Sequence, residues 1–220
     1  MRHSGIHLSR LFLFCLVPLL VGGLVRAETL TGVRAENLRK KFEAIQRGTR
    51  FWSAHFHQTL TIPGLKTPLV SEGKIQYRSP DAIRVEFENP PGDFLLARGE
   101  KFFLKKAGKP MVEKSFEKDS AAKPIQGLMS LLRGAGVEEE RWFSPEISRQ
   151  GDDFVVELVK KEGAPLHLPR SITNTVGADS FEMKRVVIQL PKGGSLTFQF
   201  DQVVRNRSID ASAFDEKSVR

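Results

Sequence analysis

Residues 63–87 read PGLKTPLVSEGKIQYRSPDAIRVEF, and their pattern indicates two strands of a β-sheet. Charged or amide side chains alternate here with apolar ones on either side of a Pro-containing turn. The apolar positions are Ile75, Tyr77, Ile83, Val85 and Phe87. A period of two is typical of a strand with one solvated face and one buried face. The stretch therefore predicts an antiparallel pair with an apolar face.

The same period continues in both directions along the chain. Further strands are expected within residues 52–62, 94–97, 102–104, 109–116, 147–150, 154–159, 171–175, 183–190, 195–201 and 203–207. Helices are expected from about residue 31 to 47 and from 124 to 134, each with an apolar stripe at helical spacing. These elements predict an α+β fold: a strongly curved antiparallel sheet of about ten strands, an incomplete β-barrel, covered by a helical lid.

The N-terminus has the pattern of a secretory signal. Arg2 and Arg10 precede an apolar run over residues 11–24. This run is 14 residues long, which is shorter than the roughly 20 residues that span a membrane. Cleavage is predicted after Ala27, which leaves residues 28–220 as a single domain of an exported protein. An uncleaved anchor helix is the alternative, and Pro18 within the short run disfavours it.

Composition restricts the chemistry of the mature chain. The single cysteine, Cys15, lies in the signal, so no disulfide or thiol nucleophile is expected. Removing the signal takes away three arginines and no acid, and the net charge falls from +8 to +5. Export and the scarcity of tyrosine and tryptophan argue against nucleic acid as a partner.

No catalytic motif is recognisable. The sequence lacks a nucleophile elbow, a Walker A loop and a dinucleotide fingerprint. His55 and His57 share one face of a strand and could form half of a metal site, but no third ligand stands at a suggestive spacing. They are interpreted as two solvent-facing residues, and we expect neither a metal, nor a cofactor, nor an enzyme.

Apolar side chains that could line a cavity are numerous. The mature chain has 14 phenylalanines, and a curved sheet can enclose more volume than its own side chains fill. The predicted helix at 124–134 is either an ordinary core helix or a lid over such a cavity, and the sequence favours neither interpretation over the other. The candidate lining residues are Phe56, Ile75, Tyr77, Val85, Phe87, Leu96, Phe102, Leu128, Met129, Leu132, Phe198 and Phe200.

The order of several short motifs resembles the periplasmic outer-membrane lipoprotein carrier family, the LolA-like proteins. The resemblance covers nearly the whole mature chain and depends on the order and spacing of individually weak motifs. These motifs lie at residues 56–59, 63–65, 72–75, 77–81, 83–87, 89–90 and 98–101.

This resemblance implies a periplasmic, monomeric carrier with an incomplete barrel, a helical lid and a hydrophobic cavity for the acyl chains of lipoproteins. It also implies two partners: an inner-membrane lipoprotein-releasing transporter and an outer-membrane acceptor lipoprotein. An arginine near the Pro-containing corner would hold the lid, and Arg78 or Arg84 is the candidate. The alternatives are a divergent paralogue that binds another lipid or glycolipid in an export pathway, a module that senses lipoproteins, or a periplasmic hydrolase.

Overall fold

The computed structural model describes residues 27–89, 91–115, 129 and 141–215. The predicted signal peptide lies outside these residues except for Ala27. The predicted helix at 124–134 also lies outside them, with the single exception of Met129.

The described residues include one complete α-helix, twelve strands and a short C-terminal 3₁₀ helix, and Met129, Arg141 and Trp142 are also helical. In chain order they are β1 (Glu28–Leu30), α1 (Gly32–Arg47), β2 (Phe51–Thr61), β3 (Leu69–Arg78), β4 (Ala82–Asn89), β5 (Phe94–Arg98), β6 (Lys101–Lys105), β7 (Val112–Ser115), β8 (Phe143–Gln150), β9 (Asp153–Lys160), β10 (Ser171–Gly177), β11 (Met183–Gln189), β12 (Ser195–Arg205) and the 3₁₀ helix (Ala211–Phe214). The prediction of about ten strands was therefore too low. In particular, the three residues of β1 are too few for a recognisable alternation.

All twelve strands belong to one antiparallel sheet, as predicted. Their order is β1-β8-β9-β10-β11-β12-β2-β3-β4-β5-β6-β7, and no pairing among the described residues joins β1 to β7. The open sheet is consistent with the expected incomplete barrel. Strands β12 and β2 pair along most of their length, from Ser195 opposite Thr61 to Arg205 opposite Trp52. This pairing joins the two halves of the chain.

The sheet has two unlike faces. We call the face that carries Phe56, Tyr77 and Phe198 the inner face, and the face that carries His55 and Arg84 the outer face. The inner face holds the main hydrophobic core. The outer face is largely polar, and only across β4–β6 does it carry an apolar cluster, which is closed by Phe214 from the 3₁₀ helix.

Helix α1 confirms the predicted helix that ends at Arg47. Thr31 precedes it in an extended conformation, and Gly48 follows it. Along the helix Arg39 pairs with Glu36 at 3.0 Å and with Glu43 at 2.6 Å, as side chains three and four residues apart can do. No described helix has both the length and the hydropathy that crossing a membrane requires.

Candidate functional site

The inner face is the candidate site because it is a continuous apolar surface. Eighteen buried residues form one cluster, and they come from eight strands together with Met129. Each is at most 9% exposed. Because the side chains of a strand alternate between faces, the strand pairings place these residues side by side across the sheet.

Most of the predicted lining residues meet in this cluster. Phe87 is only partly buried and packs against its edge. Leu128 and Leu132 lie outside the described residues. The members of the cluster that the sequence had indicated are Phe56, Ile75, Tyr77, Val85, Phe102, Met129, Phe198 and Phe200.

Leu96 was assigned to the wrong face. It belongs to the outer-face cluster with Ala82 and Phe214. The reason is that β5 is buried on both sides: residues 94–97 are each at most 7% exposed. An uninterrupted apolar run has no polar positions from which to tell the two faces apart.

A group of aromatic rings occupies the centre of the inner face on β2 and β12. The ring of Phe56 lies 5.6 Å from that of Phe87 and 6.0 Å from that of Phe198, both in edge-to-face geometry. Phe198 stacks on Phe200 at 6.0 Å, and Trp52 meets Phe200 edge-on at 5.3 Å. Such pairs add about 0.5–1.5 kcal/mol each beyond the area they bury.

Gly73 makes room for two of these rings. It lies opposite Phe56 on β2 and opposite Phe87 on β4. A Cβ atom at this position would lie 1.9 Å from the backbone oxygen of Glu86. The close approach of β3 and β4 therefore requires glycine, and the missing side chain leaves the space above it to Phe56 and Phe87.

A fully buried polar side chain, Asn174, interrupts the apolar inner face. Asn174 on β10 is 1% exposed, and it lies between Val156 and Val186 of the neighbouring strands. Neither the oxygen nor the nitrogen of its amide has a hydrogen-bond partner in the described structure. An unpartnered buried amide is costly, so its presence calls for an explanation.

Trp52 and Asn174 were both missing from the sequence-based site. Trp52 shares its parity with Phe56, so the alternation that indicated Phe56 also indicated Trp52. Asn174 shares its parity with Ile172, which lies in the inner-face cluster. A polar residue at an inward position was therefore visible in the sequence, although its lack of a partner was not.

Arg78 and Arg84, the candidates for holding a lid, both contact the 3₁₀ helix. The Arg78 guanidinium lies 4.8 Å from the centroid of the Phe214 ring. Arg84 donates a hydrogen bond of 2.9 Å to the carbonyl oxygen of Ala213 and also pairs with Glu86. These contacts lie on the outer face, whereas Met129 packs on the inner face. Whether either arginine holds a lid remains a prediction.

A small cavity and a wider groove adjoin the described residues. A small apolar one of about 20 Å³ lies between α1 and strands β8–β10, where Phe42, Ile147 and Phe181 are among the lining residues. A wider groove of about 360 Å³ lies on the outer face beside the 3₁₀ helix, and both Ser53 and Asp210 line it. The first marks incomplete packing between the helix and the inner face.

Comparisons with solved structures show a shared fold. No family model matches the sequence, and no curated protein matches it either. A DUF1329 family protein from Desulfovibrio piger is 10% identical, with 87% of this chain and 100% of that chain covered and a TM-score of 0.50. The MucA/MucB complex of Pseudomonas aeruginosa matches at 9% identity and a TM-score of 0.50, over 84% of this chain and 62% of that one. This chain therefore spans less than two thirds of the matched MucB chain.

A third structure, a LolA superfamily protein from Nitrosomonas europaea, is 10% identical over 84% of this chain and 98% of that chain, with a TM-score of 0.44. Likeness at such identities shows the fold alone. A domain from Vibrio parahaemolyticus that is described as an outer-membrane lipoprotein-sorting protein also matches, at 9% identity and a TM-score of 0.47, over 86% of this chain and 97% of that chain.

Proposed function

We propose that this chain is an exported carrier that holds the acyl chains of a lipoprotein against the inner face of its sheet and transfers them from the inner to the outer membrane. The observation that carries the proposal is the apolar inner face with one unpartnered amide, Asn174, within it. The resemblance of the sequence to the lipoprotein carriers supports the choice of ligand. A lipid or glycolipid of another export pathway would suit the same surface.

An apolar face and a single amide suit an acylated ligand. Burial of hydrocarbon stabilises a complex by about 0.8 kcal/mol for each methylene group. A ligand that covers part of the inner face could therefore be bound firmly and still be released. The ester or amide group at the head of an acyl chain could pair with the Asn174 side chain, which would otherwise remain buried without a partner. No step in this transport requires a covalent bond to form or break.

A protein partner is the second candidate. The fold is shared with MucB, whose solved structure contains MucA. A protein that recognises a peptide with this fold would be isolated with a polypeptide rather than with lipid. The two candidates therefore predict different bound molecules.

The test is mass spectrometry of whatever remains bound to the mature protein purified from a bacterial periplasm. Acylated protein or lipid is expected. In Met129→Glu a charge enters the inner-face cluster at a residue outside all twelve strands, so circular dichroism should show an intact sheet while the bound lipid is lost. Leu166→Glu is the matched control, since Leu166 is 88% exposed.

Equal lipid in the two variants, or no lipid on the unmodified protein, would contradict the proposal. A bound polypeptide without acyl chains would favour the second candidate. Release of free fatty acid from a bound lipid by the purified protein would favour a hydrolase.

A further inference from the structure

Three potential metal ligands meet on the outer face of the sheet. His55 and His57 point outward from β2, and the pairing of β12 with β2 places Asp201 directly opposite His55. One oxygen of Asp201 lies 3.5 Å from Nδ1 of His55, and the other lies 3.4 Å from Nε2 of His57. One ligand atom from each of the three side chains can be chosen so that all lie within 4.8 Å of one another.

These separations are close to those of a metal centre. A metal that holds two ligand atoms at 2.0–2.1 Å in tetrahedral geometry keeps them about 3.3–3.4 Å apart. The two oxygen–nitrogen distances already approach that value, and one ligand atom from each of the three side chains lies within 4.8 Å of the others. The exposed fractions of the side chains are 18% for His55, 47% for His57 and 48% for Asp201, which leaves access for an ion and for a water molecule as fourth ligand.

A second layer of carboxylates surrounds the imidazoles. The nitrogen of each ring that faces away from Asp201 has a glutamate beside it. Nε2 of His55 lies 3.2 Å from Glu88, and Nδ1 of His57 lies 3.3 Å from Glu72. Histidines that bind metals commonly donate their second N–H to a carboxylate, which fixes the tautomer and raises the basicity of the coordinating nitrogen. Asp201 therefore lies between the two imidazoles, and each imidazole has its own glutamate on the other side: Glu88 beside His55 and Glu72 beside His57.

We propose that His55 Nδ1, His57 Nε2 and Asp201 form a binding site for one transition-metal ion, with Glu72 and Glu88 as positioning residues. Two imidazoles and one carboxylate favour zinc, or a related ion such as cobalt, nickel or copper, over calcium and magnesium, which prefer oxygen ligands. His55 and His57 lie on the opposite face of β2 from Phe56. The site is therefore separate from the inner face, and this inference does not depend on the proposed function.

The simpler reading is a group of ordinary ion pairs. Lys74 lies opposite His55 on β3, and its Nζ is 3.3 Å from Glu88. In that case Lys74 would offset part of the negative charge of the carboxylates, the imidazoles would only hydrogen-bond to them, and no metal would bind with useful affinity. Replacing the ligands one at a time distinguishes the two readings.

The experiment is titration calorimetry of the mature, tag-free protein with zinc chloride alone. We expect one zinc ion per chain. His57→Ala should weaken binding by more than about 100-fold, and Glu88→Gln should weaken it by about 10–100-fold, as for other carboxylates that support a ligand. His167→Ala is the matched control, since His167 is exposed and is the remaining histidine of the predicted mature chain. It should leave the zinc affinity unchanged.

Cobalt(II) provides a second readout. Its visible absorption should report a four-coordinate site in the unmodified protein and in His167→Ala, but not in His57→Ala. Circular dichroism verifies that each variant is folded. The inference is overturned if zinc does not bind, if His57→Ala binds zinc as tightly as His167→Ala does, or if calcium binds equally well.

Discussion

The guanidinium of Arg78 lies 4.8 Å from the centroid of the Phe214 ring, and this contact joins the end of β3 to the last described helix of the chain. Phe214 is 1% exposed and packs with Leu96 and Phe103 on the outer face. A cation over an aromatic ring contributes about 0.5–2 kcal/mol, depending on how far it is removed from water. The 3₁₀ helix is thus part of the folded domain and covers strands β4–β6.

Phe214→Ala should lower the free energy of unfolding by about 3–5 kcal/mol, because it removes a fully buried ring and leaves a cavity. Urea denaturation followed by circular dichroism measures the change. Leu166→Ala, at a residue that is 88% exposed, should change the free energy by less than about 0.5 kcal/mol. A loss below 1 kcal/mol for Phe214→Ala would mean that the outer-face cluster does not depend on this ring.

Asp210 should make stability depend on pH. The backbone N–H of Ser212 donates to its carboxylate at 2.9 Å, and this hydrogen bond lowers the pKa of Asp210 below its ordinary value of 3.8. Because the folded pKa lies below the unfolded one, the carboxylate stabilises the fold above the ordinary pKa. That stabilisation is lost as the pH falls through the lower, folded value.

Asp210→Asn tests this dependence. Relative to the unmodified protein, the variant should be less stable at neutral pH, and the difference should shrink as the pH falls below about 3.8. Urea denaturation over a series of pH values provides the measurement. Ser208→Ala, in the preceding exposed segment, serves as a control that should show no such convergence. A difference that stays constant with pH would exclude the hydrogen bond as its source.

Asn174→Val should stabilise the protein while weakening its binding of lipid. Removing a buried amide that lacks a partner should raise the free energy of unfolding by about 1–3 kcal/mol. Under the proposed function, the same change removes the polar contact to the ligand. Thr173→Val, at the neighbouring outward position of β10, should have little effect on either property.

Two measurements separate these effects: urea denaturation of the delipidated protein, and the amount of lipid bound after purification. Lower stability in Asn174→Val would show that the amide has a partner in the folded protein. Higher stability with unchanged lipid content would retain the structural argument but contradict the role of Asn174 in binding.

Gly73→Ala should lower the free energy of unfolding by about 1–3 kcal/mol, because its methyl group would collide with the backbone of β4 and force the two strands apart. The added Cβ atom would lie 1.9 Å from the backbone oxygen of Glu86. That oxygen belongs to a hydrogen-bonded strand and not to a flexible side chain. Val70→Ala, on the same strand at a 68% exposed position, is the control. Equal thermal midpoints for the two variants would contradict the close approach.

The period-two pattern predicted most of the sheet because most of its strands have one apolar and one polar face. In β2 the alternation of Trp52, Ala54 and Phe56 with Ser53, His55 and His57 correctly separates the two faces. In β5 no such contrast exists, and Leu96 was assigned to the wrong face. The alternation of polar and apolar residues therefore indicates which face a residue occupies only where the opposite face is exposed to solvent.

The partners of a strand could not be predicted in the same way. Asp201 stands 146 residues after His55 in the sequence and becomes its neighbour only through the pairing of β12 with β2. This is why the two histidines were judged to lack a third ligand. Asn174 raises the same difficulty, since its missing hydrogen bond depends on what the rest of the fold brings close to it.

The two edge strands of the open sheet affect whether the protein associates with itself at high concentration. In the described structure the terminal strands β1 and β7 are the shortest of the twelve, with three and four residues, and both carry charged side chains such as Glu28 and Lys114. Identical molecules tend to pair through long, flat, apolar edge strands and can then polymerise into fibrils. An unclosed barrel runs that risk by its design. Among the described residues, however, the two terminal strands are too short and too charged to serve as templates for such association.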